Sequence, residues 1–119
     1  MGSNIMVQRI ADVTFVDIQE ARLLDSRDLD ALAEQLYRLV DKMDRKKLVV
    51  DFSRVQFLAS AAIGVVTTLH KKSVAIKGTL VLCGLRKELM KVFEIMNLTK
   101  LLRFSADAKE ALAVFAVSA

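Results

Sequence analysis

Apolar residues along this chain change their spacing several times, and each change marks an element. In "NIMVQRIADVTFVDI" two β-like runs flank Asp12, the second with Val13 and Phe15 alternating against Thr14 and Val16. Asp25-Ser26 then offers a helix cap, with Asp28 and Asp30 in the first turn, where the helix dipole favours negative charge. Leu29, Leu32, Ala33, Leu36, Leu39, Val40 and Met43 recur at threes and fours. That spacing predicts an amphipathic helix about four turns long. "LVVDF" is short, unbroken and rich in Val, the pattern of a strand covered on both faces. "AAIGVVTTLHKKSV" predicts a second helix, ended by Gly78, and "TLVLCGL" another buried strand. "RKELMKVFEIMNL" predicts a third helix with Leu89, Val92, Phe93 and Met96 on its apolar side. Asn97 follows it, a residue that tolerates the left-handed conformation at a helix end. "LLRF" reads as a short strand, and Ser105 as the cap of a last helix carrying Ala108, Ala111, Leu112 and Phe115.

The order β-β-α-β-α-β-α-β-α is that of an α/β domain with a sheet of about four to five strands and four helices. Right-handed crossovers make the strands after the first hairpin parallel neighbours. The last helix either covers the sheet or lies against the N-terminal strands; periodicity leaves both open. The 119 residues fit a single domain, 1–119, with an ordered core expected over about 4–117. A hydrophobic content of 54% is enough to build that core without staples. No apolar run is long enough to span a bilayer, and "MGSNIMVQRI" lacks the features of a secretory leader. A cytoplasmic protein without membrane insertion is expected.

Charge sharpens this picture. Residues 1–59 are close to neutral, whereas 60–119 carry most of the net charge of +4, concentrated between Lys71 and Arg103. With no interleaved aromatic residues and no recognisable motif, this basic excess reads as solvated surface rather than a nucleic-acid site. Cys83 is the single cysteine and sits inside "TLVLCGL", where a buried thiol is expected and a disulfide is not. His70 is the single histidine. One His and one Cys, without ligand spacing, predict neither a metal site nor a cofactor.

The most distinctive stretch is "DFSRVQFLASAAIG", Asp51–Gly64, where a strand gives way to tiny residues around one hydroxyl, Ser60. Ser60 falls at or near a helix start, so its oxygen can cap the helix, accept a phosphate, or do both. Ala59, Ala61 and Ala62 leave the backbone open to another polypeptide. Gly64, unfavourable in a helix by about 1 kcal/mol against Ala, points to a close contact with the sheet beneath or a partner above. A hydrolase is not indicated. The segment lacks the Gly-x-Ser-x-Gly elbow, and His70 lies ten residues on, about 15 Å away along the same helix.

"VVDFSRVQFLASAAIGVV" resembles the signature of STAS domains of the anti-sigma factor antagonist type. Asp51, Phe52, Ser53, Val55, Phe57, Leu58, Ser60, Ile63 and Gly64 stand where that pattern expects them, and "GTLVLCGL", "FEIMNL" and "LLRFSADAKEALAVF" extend the likeness over most of the chain. The resemblance implies a STAS-like fold and a non-enzymatic regulator in bacterial signalling. Such a protein binds an anti-sigma factor or serine/threonine kinase when dephosphorylated, and a phosphatase restores that state. It also implies partner contacts through Phe57, Leu58, Ala59, Ser60, Ala61, Ala62 and Gly64. The family's usual acceptor position holds Ala61, flanked by Ala59 and Ala62 in place of Asp and Gly, so the standard switch is missing there. Ser60 is then the candidate phosphorylation site; otherwise the domain stays permanently in its binding state. The second is favoured, because one helical residue turns an acceptor by about 100°. STAS-like domains also serve membrane transporters, so an accessory subunit docking on a separate transporter is the alternative. A monomer or weak dimer is expected.

Overall fold

The alternation around Asp12 becomes an antiparallel hairpin. Strands β1 (Ile5–Ile10) and β2 (Val13–Ile18) pair with Ile10 opposite Val13, and Ala11 in the turn adopts φ 57°. The coordinates are those of a computed structural model and describe residues 5–23 and 26–117. After the hairpin come β3 (Arg22–Leu23), α1 (Ser26–Asp41), β4 (Lys47–Asp51), β5 (Phe57–Leu58) and α2 (Ser60–Ala75). The chain continues through β6 (Thr79–Cys83), α3 (Lys87–Ile95), β7 (Arg103–Ser105) and α4 (Ala108–Val114). The cap read at Asp25-Ser26 lies outside the described residues.

The main sheet has the order β1-β2-β4-β6-β7, parallel from β2 onward. Each crossover moves one strand further in the same direction, and right-handed connections then place α1, α2 and α3 on the same face. Leu29, Leu36 and Leu39 of α1, Ile63 and Leu69 of α2 and Phe93 of α3 pack there on Val16, Leu48, Val50 and Leu82. The last helix covers the opposite face. Ala111 and Leu112 of α4 lie over Val13, Phe15, Val49, Val81 and Cys83, so α4 both covers the sheet and reaches the N-terminal β2. Coverage on both faces explains why Leu48, Val49 and Val50 form an unbroken apolar run rather than an alternating one.

Several boundaries differ from the sequence reading. Ser105 is part of β7, and Asp107 caps α4, its Oδ1 accepting from the Glu110 N–H at 2.9 Å. The first helix stops at Asp41, leaving Met43 exposed. On α3 only Leu89 and Phe93 are buried; Val92 and Met96 lie on the surface. The helix ends share one device. Lys77, Asn97 and Ala116 take φ near 60° after α2, α3 and α4. The following N–H groups of Gly78, Leu98 and Val117 then donate to Ser73, Phe93 and Leu112 carbonyls at 2.7, 2.9 and 3.1 Å. These are Schellman closures. Asn97 fills the role its type suggested, but Lys77, not Gly78, makes the turn after α2. Gly78 is required by a close approach instead, since a Cβ there would sit 2.7 Å from the Lys46 carbonyl oxygen.

Candidate functional site

The segment from Asp51 to Gly64 is held from below and left open above. Phe52 and Val55 are fully buried and anchor the loop leaving β4. The Phe52 N–H donates to the Cys83 carbonyl at 2.8 Å, and the Val55 N–H to the Phe52 carbonyl at 2.9 Å. The carboxylate of Asp51 folds back over the turn, Oδ1 accepting from the Ser53 N–H at 3.0 Å and Oδ2 from the Ser53 hydroxyl at 3.2 Å. Gly84 makes room for this arrangement. Its φ is +74°, and a Cβ there would lie 2.5 Å from Asp51 Oδ1. The "DFS" and "CGL" stretches therefore form one packed unit at the carboxyl ends of neighbouring strands.

Beyond Val55 the loop is tied to a second segment that the hydrophobic pattern did not show. The N–H groups of Gln56 and Phe57 both donate to the Ala21 carbonyl, at 2.7 and 3.1 Å. Phe57 and Leu58 then pair in parallel with Arg22 and Leu23, giving the small sheet β3-β5. The Arg22 guanidinium lies 4.8 Å from the centroid of the Phe57 ring, a cation–π contact on a ring that is 49% exposed. Arg22 thus joins the surface, although nothing in its local sequence marked it. Leu58 and Ala59 are half-buried against the main core.

Ser60 does not cap α2. Ala59 occupies the cap position with extended backbone, no side chain bonds the helix start, and Ser60 is the first helical residue. The loop reaches the helix already committed to its direction by Phe52, Val55 and the Ala21 ties, so the extended-to-helical change falls one residue earlier than the hydroxyl. Ser60, Ala61 and Gly64 are exposed, and Ala62 is buried with Ile63 in the core. Ala62 therefore packs inward and does not present itself to a partner. A Cβ added at Gly64 would meet nothing within 4 Å, so the sheet beneath is not what Gly64 accommodates. Ala61, Gly64, Thr68 and Lys71 share the outward face of α2, with tiny side chains at its start.

The remaining reactive residues lie elsewhere. Cys83 is fully buried, and burial pushes its thiol up to about 12, with Asp51, Asp107 and Asp17 adding to the shift. Among the described residues no cluster of His, Cys, Asp or Glu is arranged to hold a metal ion. None of the helices in those residues is long and apolar enough to cross a membrane.

Comparison with known proteins gives the same fold. Residues 4–111 match the STAS domain family. BtrV of Bordetella bronchiseptica, provisionally named an anti-sigma factor antagonist, is 30% identical over 93 residues, which cover 78% of this chain and 79% of BtrV. An anti-sigma-factor antagonist (STAS) domain protein from Planctomyces limnophilus superposes with a TM-score of 0.83 at 20% identity, covering 98% of this chain and all of its own. The Bacillus cell fate determinant SpoIIAA in its phosphorylated form superposes at 0.73 and 15% identity, over 93% of this chain and 98% of its own. The sheet wound in one direction is thus the fold of these structures, and the match over residues 4–111 shows that the chain belongs to the STAS domain family, in the likeness of the anti-sigma factor antagonists.

Proposed function

We propose that this domain works by docking, through Phe57, Leu58, Ala59, Ser60, Ala61 and Gly64, onto an anti-sigma factor or a related serine/threonine kinase in the cytoplasm, and that it performs no catalysis of its own. The observation that carries this reading is the open space over Gly64, at the start of a helix whose outward face carries only Ser60, Ala61 and Gly64 in its first turns. A glycine in mid-helix is unfavourable by about 1 kcal/mol against alanine, and no contact within the domain compensates it. A partner backbone resting on that face would. SpoIIAA, named for a phosphorylated form, supports control of such a surface by phosphate. In this chain Ala61 cannot accept one, and Ser60, one residue earlier, points about 100° away around the helix axis. We therefore read the domain as held in its binding state.

Capture of an anti-sigma or serine-kinase protein encoded by the same genome tests this directly. Wild type should retain it, while Ser60→Asp and Ala61→Glu should each weaken retention by about tenfold or more, by placing charge in a closely packed contact. Equal retention by all three would move the docking surface elsewhere. Intact-mass measurement after incubation with ATP and cell extract separates the two regulatory possibilities. No added phosphate fits a fixed binding state, and a phosphate lost in Ser60→Ala would make Ser60 the switch.

A further inference from the structure

Beside the small-residue start of α2 lies a groove of about 430 Å³ between β5 and α3, lined by Phe57, Leu58, Arg86, Glu88, Leu89 and Val92. Its floor is apolar, and the apolar surface continues along α3. Val92 and Ile95 are 37% and 83% exposed, and they stand on the same side of the helix as Glu88, four and seven residues on. An isoleucine that open, next to an exposed valine and a half-exposed phenylalanine, is a contiguous apolar strip rather than a scattered surface residue. The rim is cationic. Arg22 lies over the Phe57 ring and Arg86 lines the groove, while Lys87 and Lys91 stand exposed on α3. Among the described residues none of these four forms an ion pair, and two carboxylates oppose them, Glu88 on the groove and Glu94, exposed on α3 beside Ile95.

We infer that this groove receives an acidic amphipathic helix of a partner protein, whose apolar face covers Phe57, Val92 and Ile95 and whose carboxylates meet Arg22, Arg86 and Lys91. Two features select that occupant. Apolar residues on one side of a helix beside a groove suit the i, i+3, i+4 anchors of a docked helix. Four unpaired cations around the apolar strip disfavour a basic or neutral partner and raise the association rate of an acidic one. A second copy of this chain fits poorly. Its net charge is +4, and the apolar faces of its own long helices α1 and α2 are already buried in its core. The inference rests on the docking role proposed for residues 57–64 and extends it along α3.

Two synthetic helical peptides with the same leucine placement, one bearing glutamates and the other lysines on the opposite face, test it. Backbone amide shifts are followed by NMR in the intact domain. The glutamate peptide should shift Phe57, Val92 and Ile95, the lysine peptide should not, and added salt should weaken the effect. Val92→Ser with Ile95→Ser, both surface changes that leave the core intact, should lower affinity about tenfold. Absence of shifts at these residues, equal binding of both peptides, or binding unaffected by the double variant would overturn the inference. The Ala61→Glu capture experiment reads the α2 surface separately. Lost capture with no peptide binding removes the groove and leaves that surface standing, whereas peptide binding with undiminished capture does the reverse.

Discussion

Two glycines twenty residues apart in the chain, Gly64 and Gly84, show how differently one residue type can be required. Gly84 sits at φ +74° with Asp51 Oδ1 where a Cβ would be, so Gly84→Ala combines backbone strain with a collision. It should destabilise the domain by about 2 kcal/mol or more in urea unfolding, through loss of the Asp51–Ser53 turn. An unchanged midpoint would mean that the turn is not held this way. Gly64 has open space instead, so Gly64→Ala should raise stability by about 0.5–1 kcal/mol while reducing partner capture. A gain in stability with capture intact would deprive Gly64 of its docking role. The sequence legibly marked Ser60 and its neighbours as a surface of small residues, and Ser60, Ala61 and Gly64 are exposed. It misjudged the cap at Ser60 and the direction of Ala62. Both depend on how Phe52, Val55 and the Ala21 carbonyl fix the entry angle of α2, which is long-range information that no local pattern carries.

Elements with several periods of apolar spacing were readable: the hairpin around Asp12, the helices α1 and α2, and the buried strands β4 and β6. The pair β3-β5 was not, because two residues per strand contain no period to detect. Nor did periodicity distinguish the buried Leu89 and Phe93 from the exposed Val92, since all lie within one apolar arc of α3 and only the width of the sheet decides how much of it is covered. Helix ends offer a test at this scale. Lys77 holds φ 61° in the Schellman turn after α2, a conformation that glycine adopts without the penalty borne by a β-carbon. Lys77→Gly should therefore stabilise the domain by about 1 kcal/mol, read as a higher thermal midpoint. A lower midpoint would show that the lysine side chain contributes something the closure does not explain.

For the whole molecule, the parallel direction of the strands after the hairpin followed from the alternation of strands and helices, but the side taken by α4 did not. A terminal helix has no later strand to return to, so the handedness of crossovers leaves it unconstrained, and the apolar face formed by Val13, Phe15, Val49 and Val81 decides. That face also holds Cys83, whose thiol is shifted from 9.0 up to about 12, chiefly by burial and then by the charge of Asp51. An unfolded chain releases this proton as the pH passes its ordinary value, while the folded chain keeps it to about 12. The folded state then binds more protons in that window, and stability falls as pH rises. Between about pH 8 and about pH 10.5, wild type should lose more unfolding free energy than Cys83→Ala, and parallel losses would exclude the thiol as the source. Because α4 covers this sheet face together with Phe115 and Val117, which follow it, lifting of residues 108–117 uncovers the sulfur while the three-helix layer stays shut. Alkylation of Cys83 under native conditions therefore clocks the breathing of the α4 segment with the residues that follow it, giving the domain a built-in chemical stopwatch for that seam.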